Sequence, residues 1–559
     1  MVLFPDNGPV GLHPKKILPF VRRAIPPIAL CLACAAVFSK VASYPFFLLD
    51  DGRILFANPN VARGLSLEGL SWAFRTLEFG YLQPIPLISH MAAVSLFGIS
   101  PGPHHLVSLA IHMAATVLVF EILENFTGSR GRAFVAAALF SVHPFQAQSV
   151  AWISARTELL SGLFFLLAVR SHGVRAGGLP GKRSFPVSFF LVAGLLSKPT
   201  SVVLPVVLLL LDWWPLARVS RSPGSAGIDP SRAFPLRRLI AEKAHLFAIS
   251  AAASVIAIIT YGSKGELPHA PGLAPFARLA VVLRNISMAV AKSVFPRGLE
   301  FYPLLPEAPP GLADAMLPAG LFALAALISL RRASRSPYLP FGLGWFIVTL
   351  LPVAGIIQIR DHAVVDRYMY LPVIGLAVTL VWGVAEIGAS ARIPRRWLAM
   401  AGGLAIAALA VAGRSQVGFY RSELDLWRRD LDVNPSNYAA HTRVAALLYG
   451  NRDLRGAADH LRQVVRLRPE STVTKIRLAN VLADAGNLDE ARDFMIKATR
   501  DAVEPDALVD MGQTYRRLGL ENHAVAAFES ALERNPADGR ALSALAELRR
   551  TKGKSRSTD

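Results

Sequence analysis

The sequence predicts an all-α membrane protein in two parts, a multispanning helical bundle followed by an α-solenoid of short helical repeats. Three observations lead there. Of 559 residues, 53% are hydrophobic and 18% charged, whereas a soluble domain carries about a quarter charged residues. Apolar windows close to bilayer-crossing length recur between residues 24 and 415, flanked by Lys and Arg. Beyond about residue 416 they stop, and prolines recur at Pro435, Pro469, Pro505 and Pro536, spacings of 34, 36 and 31 residues. The expected division is a membrane part over 1–416, repeats over 417–550 and a disordered tail over 551–559.

Eleven windows are candidate spans: 24–43, 103–124, 132–145, 157–170, 185–198, 200–215, 245–262, 314–330, 339–357, 368–389 and 397–415. The break at Ser197-Lys198-Pro199 favours two helices over one long one across 185–215. Residues 277–296 are apolar as well, but Arg278, Arg284 and Lys292 interrupt them at helical intervals, as expected of a helix lying in the interface. Basic residues gather at Lys15, Lys16, Arg22 and Arg23 and in alternate loops near residues 130, 170–183, 218–238, 331–335 and 392–396. The positive-inside bias puts these on the cytoplasmic side, so 44–102, 146–156, 263–313, 358–367 and everything after 416 face outward. The net charge of +20 is then a topology signal, membrane lipids are expected partners, and nucleic acid is not. The location expected is a bacterial inner membrane, with the repeats periplasmic. Cys31 and Cys34, three apart in an apolar run, make neither a disulfide framework nor a four-ligand metal site.

The proline spacing is near the period of tetratricopeptide repeats. The best unit reads Gly512, Tyr515, Gly519, Ala524, Phe528, Ala531 and Pro536. Its small residues sit where two antiparallel helices approach, its aromatics where they interlock, and its proline where the second stops. The preceding unit keeps Ala479, Leu482, Gly486, Ala491 and Ala498. The first keeps Ala445, Leu448, Ala457, Leu461 and Pro469, with Arg452 where Gly is usual. Three units and a capping helix at 538–550 suffice to bury a continuous core, and such grooves bind proteins or peptides.

Chemistry-bearing residues cluster on the outward side. Asp50 and Asp51 follow the first span; adjacent carboxylates beside a low-dielectric region favour a raised pKa in one of them, which suits a base. Acidic pairs also cap loop turns, so spacing alone leaves both readings open. The loop after them carries amphipathic stretches at 66–79 and 84–97, with Trp72 and Tyr81 suited to the headgroup zone. A second loop holds His143, Gln146, Gln148, Arg156 and Glu158. Lys198 and the group Arg360, Asp361, His362, Asp366, Arg367, Tyr368 and Tyr370 lie on the same side. Ionisable groups gathered at one membrane surface define a functional-site hypothesis.

The order of Asp50-Asp51, His143-Pro144, Val150-Ala151-Trp152-Ile153-Ser154 with Arg156, Leu196-Ser197-Lys198-Pro199, Leu211-Asp212, Phe301-Tyr302-Pro303 and Asp366-Arg367-Tyr368-Met369-Tyr370-Leu371-Pro372, ahead of the repeats, resembles the transmembrane and tetratricopeptide repeat containing (TMTC) family. That resemblance implies a GT-C-like membrane glycosyltransferase of the O-mannosyltransferase kind. Such an enzyme takes a hexose, mannose in the best-understood members, from a polyprenyl-phosphate sugar to Ser or Thr hydroxyls of exported proteins. It also implies that one of Asp50 and Asp51 meets the acceptor and acts as base. Arg156, Lys198, Arg360 and Arg367 are the candidates for the donor phosphate, and His143, Gln148, Glu158, Asp366 and Tyr368 the further substrate-site candidates. A phosphate leaving group asks for a base and positive charge and little acid assistance, so no cofactor is required. The residues leave a divalent metal undecided and assign no metal ligand. Two departures stand out: Gln146 and Gln148 replace a His and a Glu usual in the family, and Tyr81-Leu82-Gln83-Pro84 replaces Tyr-Arg-Pro. Two alternatives remain open at this stage, a nonenzymatic membrane-anchored scaffold and transfer to lipid or polysaccharide.

Overall fold

The computed structural model describes residues 14–47, 50–176, 185–220, 233–263, 275–305, 312–356, 363–501 and 505–555. It is 81% helical, without strands among the described residues, and divides into two units, Met1–Glu423 and Leu424–Asp559.

In the first unit every one of the eleven apolar windows falls on helical structure. Among the described residues five helices are long and apolar enough to cross a membrane: Arg23–Ser43, Pro101–Thr127, Ala244–Ser263, Pro372–Ser390 and Arg395–Arg421. Four windows fall on shorter apolar helices, Phe185–Leu195, Pro199–Trp213, Met316–Arg331 and Tyr338–Val353. The other two fall on Arg130–Val142, only 13 residues long, and on Arg156–Ala176, which carries charges at both ends. Helix count and span count therefore differ, because a 13-residue helix reaches about 20 Å of a roughly 30 Å core. The helix Pro275–Val294 is not among the five; Asn285 and Arg278 fasten it to Ala354 O and Ile356 O at 2.9 and 2.8 Å.

Pro101–Thr127 is the centre of the bundle, packed against Arg130–Val142 and Arg156–Ala176 through Ser108, Leu109, His112, Ala115, Thr116 and Phe120. Half of its apolar window is buried in protein, against 6% for Arg395–Arg421, whose Leu404 and Val411 face outward. In water such helices would aggregate; in hydrocarbon they are the lipid face. Tyr338–Leu350 and Pro372–Ser390 approach at Gly342 and Gly375, where a methyl on Gly375 would stand 2.4 Å from Gly342 O. This is the small-residue contact that membrane helices use in place of hydrophobic driving force.

At one end of Arg156–Ala176, His172 meets Asp212 Oδ1 at 2.8 Å, and Lys243 and Arg218 reach the same carboxylate. Arg218 also pairs with Glu242 at 2.8 Å, so Asp212, His172 and Lys243, all buried, form a closed ionic knot. The segment after the first span makes a small core of its own. Ile54, Leu55, Val61, Ala73, Leu87, Met91 and Val94 enclose Ile153, drawing on the helices Leu67–Ala73 and Pro84–Phe97.

The second unit consists of helix pairs: Tyr438–Gly450 with Leu454–Leu467, Thr472–Asp484 with Leu488–Asp501, and Pro505–Arg517 with Glu521–Arg534. Gly512 leaves room for Phe528, whose ring a methyl at 512 would meet at 2.5 Å. The turn inside each pair takes a left-handed residue, Gly486 at φ +81, Gly519 at φ +70 and Arg452 at φ +64. The last helix, Gly539–Ser555, passes residue 550, where the sequence reading begins a disordered tail. The helix pattern continues there because Ala541, Leu545 and Leu548 are buried and draw its last turns along.

Candidate functional site

Asp50 and Asp51 begin a helical turn that continues as the π-helical Gly52–Phe56, a wide turn recurrent at functional sites. Asp50 is half-buried. Asp51 is buried and held by three donors: Phe47 N–H to Oδ2 at 3.0 Å, Ser154 N–H to Oδ1 at 2.9 Å, and the Ser154 hydroxyl to that same Oδ1. Burial pushes the Asp51 carboxyl up to about 6; the Ser154 and Phe47 bonds pull it down, and the Asp50 charge adds to the rise.

The second loop supplies ties as well as charge. Phe145 N–H donates to His143 Nδ1 at 3.2 Å, so Nε2 carries the proton and donates to Ser293 O at 3.1 Å. Both ring nitrogens of His143 are thus engaged, and it serves as a helix-end tie. Gln148 accepts Arg367 N–H and donates to Phe301 O, each at 3.1 Å. A glutamate at 148 could make the first bond and not the second, which gives the departure at this position a physical sense. Gln146 donates to Phe140 O at 3.2 Å. The structure does not bring Arg156 to an open surface. Its guanidinium is fully enclosed, donating to His104 O at 2.8 Å, Ser89 O at 3.3 Å and Ser108 Oγ at 3.3 Å. It joins Pro84–Phe97 to Pro101–Thr127.

The remaining cations converge. Lys198 pairs with Glu158, which stands in the first turn of Arg156–Ala176. Arg367 Nε lies 3.9 Å from that same Glu158 Oε1. The Tyr368 ring sits beneath both cations, 4.4 Å from Lys198 Nζ and 5.1 Å from the Arg367 guanidinium, which also lies 5.2 Å from the Trp152 ring. Glu158 and Tyr368 line a small cleft together with Ser161, Thr200, Thr349 and Tyr370. Asp366 lies in a neighbouring cavity and pairs with Lys292 at 3.6 Å; burial pushes its carboxyl up to about 6 against that cation. Arg360, Asp361 and His362 lie outside the described residues.

Sequence reasoning missed two members of the site. Tyr81 belongs at the cluster, close to Glu158, Tyr368 and Arg367 and hydrogen-bonded to Thr157, and burial drives its phenol well up. Ser154 is the residue that grips Asp51. One stretch joins the acidic pair to the cations: Trp152 lies against Arg367, Ser154 holds Asp51 and Glu158 holds Lys198. Among the described residues no three His, Cys, Asp or Glu side chains are placed to hold a metal ion.

The fold and site define a class: a multi-pass helical membrane protein with a polar site of carboxylates and cations, carrying a tetratricopeptide-repeat domain. Tetratricopeptide-repeat family profiles match residues 448–514 and 505–538. Along much of its length the chain is similar to the TMTC protein O-mannosyl-transferases, which bears out the resemblance read from the sequence. It is 29% identical to TMTC1 of Homo sapiens over 204 residues, 33% of this chain and 23% of that protein. With Tmtc1 of Drosophila melanogaster the identity is 31% over 152 residues, 26% of this chain and 18% of the relative. Tmtc3 of Drosophila melanogaster gives the longest of these three matches, 21% over 506 residues, 79% of this chain and 54% of the relative. The chain thus spans about half the length of that relative and under a quarter of TMTC1.

Proposed function

We propose that the protein is a membrane glycosyltransferase. It moves a hexose, mannose by analogy with its relatives' names, from a polyprenyl-phosphate sugar to Ser or Thr hydroxyls of exported proteins, which the repeats recruit. The observation that carries this reading is the continuity of the site: Ser154 fixes the acidic pair while Trp152 and Glu158, on either side of it, fix Arg367 and Lys198. A base and a cationic cradle are thereby held in one frame, which is what displacing a phosphate from a sugar carbon requires.

Asp51 is enclosed whereas Asp50 is half-buried, so Asp50 is the carboxylate that an acceptor can reach. Asp50 takes the hydroxyl proton as the acceptor oxygen bonds to C1 of the sugar. The bond from C1 to the phosphate oxygen breaks, and its electron pair leaves with the polyprenyl phosphate, held by Lys198 and Arg367. Asp51 keeps the turn in register. Basic residues in alternate loops support an orientation in a bacterial inner membrane with site and repeats on the outer side.

Mass spectrometry of envelope proteins and glycolipids, comparing cells with the unaltered chain and with Asp50→Asn at equal membrane levels, tests the proposal. Loss of hexose from Ser or Thr sites supports it. Loss from glycolipid alone moves the acceptor to lipid, and no loss from either favours a scaffold. Glu521→Cys should react with a membrane-impermeant thiol reagent in intact, outer-membrane-permeabilised cells; no reaction would overturn the orientation.

A further inference from the structure

Lys198 and Arg367 do not stand open. Both are directed at a single oxygen, Oε1 of Glu158, with Tyr368 beneath the pair. Glu158 itself lies in the first turn of Arg156–Ala176, where the unpaired backbone N–H groups and the helix dipole favour negative charge. Two cations and a helix start therefore form an anion site, and a carboxylate of the protein occupies it. The cleft beside it is lined by Glu158, Tyr368 and the hydroxyl residues Ser161, Thr200 and Thr349.

We infer that Glu158 is a resident counter-ion of the donor-phosphate site, displaced when the lipid phosphate enters and returning to expel it after transfer. The inference rests on the donor reading above. Charge count gives it direction. Among the described residues of the cradle, Lys198, Arg367 and Glu158 sum to one positive charge, which matches the single negative charge of a phosphodiester donor. Transfer turns that diester into a monoester carrying about two negative charges near neutral pH. Two negative groups, the spent phosphate and Glu158, then compete for the same two cations. A carboxylate on a short tether from a fixed helix start has a high effective concentration there, so it reclaims them. Without Glu158 the cradle would keep two positive charges and hold the spent monoester more tightly than the incoming diester.

The experiment uses the full chain in lipid nanodiscs and measures direct binding of geranylgeranyl phosphate, a short-chain lipid monoester. Glu158→Gln is expected to bind it about fivefold more tightly than the unaltered chain, the upper end for one solvent-screened ion pair. A side chain with a merely structural role would on removal weaken binding. Equal or weaker binding by Glu158→Gln, with the unaltered chain binding, overturns the counter-ion role and leaves the donor reading intact. Binding by neither protein overturns the donor reading and the inference with it. If Glu158→Gln fails to fold, Glu158→Asp decides: its carboxylate is too short to reach both cations, so it must bind more tightly than the unaltered chain, and weaker or equal binding overturns the inference.

Discussion

Ser154 donates twice to one oxygen of Asp51, through its backbone N–H at 2.9 Å and through its hydroxyl. The two residues are 103 apart in sequence, so this double bond of hydrogens is what sews the first outer segment to the second. Both donors favour the ionised carboxyl, while burial opposes it and leaves it titrating at about 6. Activity should therefore fall as pH drops through about 6, where Asp51 takes up a proton and its grip on Ser154 loosens. Ser154→Ala removes one donor and should move that midpoint upward. A pH–rate profile with a midpoint unchanged by Ser154→Ala would remove Asp51 from the titration.

The same group sets a stability trend. Its carboxyl titrates at about 6 in the folded chain instead of its usual 3.8, so the folded state binds the proton more tightly than the unfolded one. Its contribution to stability is full below about pH 4 and is lost as pH rises through about 6. Asp51→Asn should flatten this part of the melting-temperature profile, measured in detergent or nanodiscs.

Asp50→Asn should lower transfer by at least about 100-fold, the lower end of what a positioned base contributes, with lipid-phosphate binding unchanged. Separate assays of turnover and of binding check this, and a parallel loss of both would assign Asp50 a structural place instead.

Asp212→Ala should destabilise the membrane unit by up to about 3 kcal/mol, because His172 then loses its partner and buried Lys243 shares only Glu242 with Arg218. Thermal unfolding in detergent reads this directly, and a shift smaller than that of a surface substitution would show that the knot is dispensable.

In the repeats, Arg452 holds the left-handed turn that glycine fills at 486 and 519. Arg452→Gly should stabilise its helix pair by about 0.5–1 kcal/mol, the left-handed cost of a side chain less the entropy that glycine loses on folding. Slower amide exchange in Tyr438–Gly450 and Leu454–Leu467 of the full chain would register it.

What was legible in the sequence was periodic or local. Apolar windows locate helices because hydropathy is a one-dimensional property, and the repeat spacing locates helix pairs because each pair needs small residues where its helices approach, as Gly512 makes room for Phe528. Asp50, Asp51, Lys198 and Arg367 stood out as charges at a membrane edge. Arg156 stood out for the same reason, and residue type does not reveal that its guanidinium is enclosed by Ser89, His104 and Ser108. Ser154 and Tyr81 were visible in motifs, but their place in the site was not, because it lies in contacts between distant segments. Among the described residues five of the eleven windows lie on helices of spanning length, because a window of apolar residues does not reveal where its helix ends.

The helix Arg156–Ala176 carries Glu158 at its start and His172 near its end, and each is captured by partners from other segments. Its 21 residues rise about 30 Å, close to the depth of a bilayer core. It is a strut bolted at both ends, with no freedom to slide like a piston when charge arrives at one of them. Any movement that admits a lipid headgroup must come from the side chains of Glu158, Lys198 and Arg367, because the turn Asp366–Met369 is itself tied, Arg367 N–H to Gln148 and Asp366 to Lys292.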